Sequence, residues 1–269
     1  MRVFFFLLGI LALMSLGATL NTRERASYPK RMLIFGLPAW GPTLLRNLQG
    51  EEIPAGCGPE AARLLLLYYD LIFGTSFVRK DPESAISELH RLMGTITVEW
   101  NGVKQGLTWP WAFRAGLRAY IEAHSDLSVW VHTFTGGLGE VFFRAVRLLQ
   151  EGTSAVLLFD WQGEGGIFPT HYAVVVGYDL SSNELVVNPG WGYEFQLLSF
   201  RDKRILPVSL IWLEFSELAL PSREASQAVC PDLALAKPEL PSEKEVWGGP
   251  TRVFSLGGGL FLLVWDKGY

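Results

Sequence analysis

The stretch Ala55-Gly56-Cys57-Gly58-Pro59-Glu60-Ala61-Ala62-Arg63-Leu64-Leu65-Leu66-Leu67-Tyr68-Tyr69 carries the strongest helix signal in the chain. Pro59 has a fixed φ, and Glu60 brings a negative charge to the positive end of the helix dipole, so both suit a first turn. Ala61, Leu64, Leu65 and Tyr68 then fall at i, i+3, i+4 and i+7, which predicts a helix with one buried face. Cys57 stands between two glycines where a loop enters this helix. The free amides and dipole at a helix N-terminus stabilise a thiolate and can bring a cysteine pKa from ~8.5 into the range ~3.5–7.5. The flanking glycines let a substrate carbonyl approach the backbone, and the amide of Cys57 can donate to an oxyanion. A cysteine so placed suits a nucleophile better than core packing.

Further along, helices are predicted from the N-cap Asp81 to Met93, ending at Gly94; from Trp109 to Ala123; and from Leu138 to Gln150, stopped by Gly152. The period then changes. Ala155 to Phe159, Tyr172 to Tyr178, Glu184 to Val187 and Leu210 to Phe215 are short, rich in Val, Ile, Leu and aromatics, and bounded by Gly, Asn, Ser or Pro. Tyr172 to Val187, turning across Asp179 to Asn183, reads as a β-hairpin. Helices first and strands second is the α+β arrangement, not the alternation of a parallel sheet.

A thiol nucleophile needs a base, and the chain has four histidines. His90 lies inside an amphipathic helix, His124 in a polar stretch, and His132 in a strand with Val129 and Val131; each reads as surface or core filler. His171 opens the Tyr172 strand, a rigid place from which an imidazole can face Cys57. Asn188 ends the partner strand in Val187-Asn188-Pro189-Gly190-Trp191. Across a hairpin the start of one strand lies beside the end of the other, so a side-chain carbonyl on Asn188 would fix the tautomer of His171. Asn188 taken alone also reads as a turn residue before Pro189. Trp161, Trp191 and Tyr193 flank the site in sequence and read either as a substrate groove or as core.

The string Cys57-Gly58-Pro59, the strand His171-Tyr172-Ala173-Val174-Val175-Val176-Gly177-Tyr178 and the turn Asn188-Pro189 resemble papain-like cysteine peptidases. The likeness is greatest to the bacteriocin-processing peptidases that cut after double-glycine leaders and their stand-alone relatives. It runs from about Gln49 to Phe215 and implies a papain-like α+β fold with Cys57 as nucleophile, His171 as base and Asn188 as orienter. The family's oxyanion glutamine sits six residues before the cysteine, where this chain has Glu51. A two-residue loop insertion would give that role to Gln49, with Asn47 as a weaker candidate. These bacteriocin peptidases usually carry Asp at the position of Asn188.

The remaining sequence bounds the class. At 269 residues, 49% hydrophobic and 19% charged, the chain is a folded protein, and a net charge of -4 argues against a nucleic-acid partner. Two cysteines exclude a disulfide-dense scaffold and a four-cysteine zinc site, and no motif for a cofactor is found. Residues 1–18 have the charged, apolar and small-residue layout of a secretory signal peptide, with an uncleaved anchor as the competing reading. The expected location is secreted or in the cell envelope, with membrane association only if that segment is retained. Residues 19–48 read as an extended segment, 49–215 as the peptidase-like domain, 216–250 as a proline-rich linker or wrap, and 251–269 as an apolar end that adds strands. Three functions fit: a thiol hydrolase acting on peptide or isopeptide bonds, a thiol acyltransferase, or an inactive binding module. In the last, Cys57 paired with Cys230 would cancel the nucleophile.

Overall fold

Helix α1 (Cys57–Phe73) is the centre of the molecule. Every residue from Gly58 to Asp70 is buried, which corrects the expectation of one buried face. The unbroken run Leu64–Leu67 is the reason: a helix apolar on all sides must be covered on all sides. Helices α2 (Pro82–Leu92) and α3 (Pro110–His124) cover part of α1, and the sheet covers the rest. Asp70, at the end of the buried span, accepts from Thr75 Oγ1 and from the amides of Phe77, Val78 and Arg79 at 2.7–2.9 Å. That carboxylate turns the chain from α1 into α2, where Asp81 caps through Ser84 N at 3.0 Å. A fourth helix, α4 (Leu138–Gln150), packs on the sheet.

The computed structural model describes residues 29–100, 102–161, 170–192, 195–201, 205–216, 252–257 and 260–265. The proposed signal peptide, the loop Gly163–Gly166, Tyr193, and residues 217–250 with Cys230 lie outside them. Among the described residues no helix is long and apolar enough to cross a membrane.

Among the described residues the main sheet has nine strands: β1 (Arg31–Phe35), β6 (Val129–Phe134), β7 (Ala155–Trp161), β8 (Thr170–Asp179), β9 (Glu184–Asn188), β10 (Gln196–Ser199), β11 (Ile205–Phe215), β12 (Arg252–Gly257) and β13 (Leu260–Trp265). Their order is β12-β13-β1-β8-β7-β11-β6, with β9 also on β8 and β10 on β9, and every pairing is antiparallel. The class is therefore α+β, with the helix bearing Cys57 packed on an antiparallel sheet bearing His171 and Asn188. Two small ribbons, β2 (Leu44–Arg46) with β3 (Glu52–Pro54) and β4 (Ile96–Trp100) with β5 (Val103–Leu107), flank the start of α1.

β8 organises the site. β7 pairs with residues 170–175 along one edge and β1 with 177–179 farther along the same edge. β9 takes the other edge, but only from Val174, which pairs with Asn188, onward. The first residues of β8 thus extend past the end of β9. Gly177 lets β1 cross closely, since a Cβ there would run into the carbonyl of Met32. The buried pair Arg31–Asp179, at 2.6 Å, ties that crossing.

Candidate active site

Cys57 is a half-buried free thiol at the first position of α1. The loop that delivers it needs glycine: Gly56 has φ 92°, and a Cβ there would sit 2.8 Å from the carbonyl oxygen of Gly106. Gly58 packs on Thr108, whose Oγ1 would be 2.5 Å from an added Cβ. Of the amides at this helix start, Pro59 has none and Glu60 N is taken by Gly56 O at 3.2 Å. Those of Cys57 and Gly58, and that of Tyr172 at the overhanging start of β8, lie near the sulfur and favour its thiolate. Sγ therefore lies at the backbone next to His171.

Burial pushes the Cys57 thiol above its ordinary range, against the three amides that favour the thiolate, and the nearby Glu60 carboxylate adds to the rise. This corrects the expectation of a lowered pKa. Helix position alone favours a thiolate, but loss of hydration disfavours it more strongly here. His171 is shifted the opposite way. Burial lowers its imidazole to about 4, partly offset by a hydrogen bond to the carbonyl of Pro189. Both groups rest neutral near pH 7.

His171 Nε2 lies 2.9 Å from Pro189 O. A carbonyl only accepts, so Nε2 carries the proton and the ring's lone pair lies on Nδ1. Trp191 covers the ring at 4.3 Å, and Phe159 meets it edge-on at 5.7 Å. The expected Asn188–His171 hydrogen bond is not formed. Asn188, 1% exposed, donates Nδ2–H to Pro38 O at 3.0 Å, and its Oδ1 accepts from Gly190 N at 3.1 Å. Sheet parity gives the reason. Paired residues share a face, so Asn188 shares that of Val174, and His171, three positions away, faces the other side. Asn188 instead folds the turn whose carbonyl, on Pro189, orients the ring.

Gln49 is also corrected. It is exposed at the tip of the β2–β3 ribbon, where its amide donates to Asn47 Oδ1 at 3.0 Å. The ribbon's other end is beside Cys57, where Ala55 N donates to Thr43 O at 2.8 Å. The turn at Gly50 and the strand Glu52–Pro54 lie between Gln49 and the helix start, and the strand alone spans about 10 Å at the usual rise. Asn47 is at the same far turn, bonded to Gln49 and Glu51. The oxyanion donors on hand are the amides of Cys57 and Gly58.

Residues 37–43 wall the site, a role that sequence reading missed. Pro38 holds Asn188, Trp40 O accepts from Gly192 N at 3.1 Å, and Thr43 N donates to Glu60 Oε1 at 2.8 Å. Glu60 is buried and paired with Arg63 at 2.6 Å, and the Arg63 guanidinium lies 4.1 Å over the Trp40 ring. Pro38 and Pro42 mark this segment as extended, but it holds no acid, base or nucleophile that would draw notice. The other histidines are placed elsewhere. His124 bonds Glu88 and His132 bonds Glu214, both on exposed surface, whereas His90 Nδ1 reaches Ala55 O at 2.9 Å. Exposed Trp109 and Trp111, stacked at 5.1 Å, follow Thr108 on the Cys57 side, and exposed Trp191 stands on the His171 side. Among the described residues no group of three or more His, Cys, Asp or Glu is arranged to hold a metal ion.

No family model matches the chain, and no curated protein matches it. Among solved structures it is similar to the active wild-type interpain A cysteine protease of Prevotella intermedia, at 12% identity and a TM-score of 0.46, over 69% of this chain and 96% of that one.

Proposed function

We propose that the protein is a thiol hydrolase of papain-like type that cleaves peptide or isopeptide bonds through an acyl-enzyme on Cys57. The carrying observation is the meeting of a helix-start thiol with the Tyr172 amide, next to an imidazole whose Nε2 proton is committed to Pro189 O. In the first step the Cys57 S–H proton passes to His171 Nδ1 as sulfur bonds the substrate carbonyl carbon. The oxyanion that forms takes the Cys57 and Gly58 amides. Collapse breaks the C–N bond, and the Nδ1 proton leaves with the amine. Water then attacks the thioester, giving a proton to Nδ1, and the thiol regains it as the acid departs.

A neutral resting pair makes His171 a general base rather than half of a standing ion pair. Asn188 acts as a positioning residue through Pro189. The exposed tryptophans on both sides of the site favour a polypeptide substrate. The apolar N-terminal segment of the sequence supports an exported location. The test is incubation with a proteome-derived peptide mixture and mass-spectrometric reading of new termini. Wild type should cut, C57A should not, and H171A should be slower by about 10²–10⁴-fold. Cutting by C57A at the wild-type rate overturns the proposal.

A further inference from the structure

His90 is 33 residues from Cys57 in sequence, on the last turn of α2, yet its Nδ1 lies 2.9 Å from the carbonyl oxygen of Ala55. Carbonyls only accept, so Nδ1–H is the donor. Ala55 is fully buried, and its amide is already used on Thr43 O at 2.8 Å. The following residue, Gly56, sits at φ 92° and ψ 153°. Glycine has no Cβ to hold a peptide plane in one orientation, so the Ala55–Gly56 peptide depends on its hydrogen bonds. One peptide later comes the Cys57 N–H, one of the amides that favour the thiolate.

His90 is itself firmly seated. Its carbonyl accepts from Thr95 N at 3.1 Å, and Thr95 Oγ1 lies 2.8 Å from Thr108 Oγ1, the group packed against Gly58. Two connections therefore run from the end of α2 to the nucleophile, one through Ala55 and one through Thr108.

We propose that His90 is a positioning residue for the nucleophile: its Nδ1–H pins the Ala55 carbonyl and so aims the Cys57 amide at the sulfur and at the oxyanion that forms there. This rests on Cys57 being the nucleophile of the proposed hydrolase. The amide aimed by His90 stabilises both the thiolate and the tetrahedral oxyanion, so releasing the pin lowers turnover more than it lowers substrate binding.

The test compares H90N, which keeps a donor at the Nδ1 position, with H90L, which keeps bulk and loses the donor. The readout is iodoacetamide alkylation of Cys57 in the folded full-length protein across pH 6 to 10, with H171A as control. H90L should alkylate about 10-fold more slowly throughout the acidic and neutral part of this range, while H90N stays within about threefold of wild type. With a cleaved peptide in hand, H90L should lose about 10-fold or more in kcat with KM within about twofold. Wild-type alkylation by H90L, or equal slowing in H90N and H90L, overturns the role of His90. Cutting of the peptide mixture by C57A at the wild-type rate would fail the hydrolase reading, whereas wild-type alkylation in H90L alone fails only the role of His90.

Discussion

The imidazole of His171 makes the protein's stability depend on pH in a direction that follows from its surroundings. Burial lowers it from an ordinary 6.5 to about 4, with the Pro189 carbonyl pulling the other way. A histidine depressed in the fold stabilises it fully above its unfolded value, and that stability is lost as pH falls toward the folded value. The window is therefore pH 6.5 to 4. At 1.36 kcal/mol per pKa unit, the whole displacement is worth about 3 kcal/mol, of which about 2 kcal/mol is lost by pH 5. Cys57, raised by burial, acts only on the alkaline side and leaves this window unaltered. Urea unfolding of wild type and H171Q at pH 7.5 and pH 5 isolates the effect, because every other titrating group is common to both. Wild type should lose about 2 kcal/mol more than H171Q between those pH values. Parallel losses would refute the claim that His171 is held neutral by burial.

Three further substitutions separate the roles assigned to neighbouring residues. N188D should be as damaging as N188A, about 1–3 kcal/mol in urea unfolding with slower turnover, because a carboxylate would face the Pro38 carbonyl where Nδ2–H now donates; wild-type stability and activity in N188D would show that Asn188 is a direct partner of the imidazole. Q49A should leave peptide cleavage within about twofold, as the residue is exposed at the far turn of its ribbon; a hundredfold loss would return the oxyanion role to Gln49. G56A should cost at least about 1–3 kcal/mol in urea unfolding, since it combines a φ of 92° with a Cβ 2.8 Å from Gly106 O; an unchanged midpoint would mean that the loop has another conformation open to it.

The legible parts of this chain were those with local, periodic causes. Leu138–Gln150 has an amphipathic period ended by Gly152, and the structure has α4 over those residues. Asp81 read as an N-cap and is one. The hairpin of β8 and β9 was visible from its Val-rich strands and polar turn, and it brought His171 and Asn188 into one neighbourhood. What escaped depended on direction and on distant partners. Spacing put Asn188 beside His171 but not on the opposite face, which only the Val174 register decides. The depressed imidazole and raised thiol come from burial by segments far apart in the chain, so the helix-start argument at Cys57 gave the wrong sign. β1 read as extended chain because an inner strand held between β8 and β13 shows no hairpin signal of its own. His90 read as filler because its partner is a backbone carbonyl, which leaves no mark in a sequence.

The most direct test of the central claim is to catch the covalent intermediate. Wild type is mixed with the peptide mixture, quenched in acid within the first turnovers, digested, and the peptide bearing Cys57 is weighed. The account expects an acyl adduct on Cys57 that hydroxylamine removes, with none on Cys230 and far less in H171A. Peptide cleavage that proceeds with Cys57 unmodified and survives C57A would contradict it.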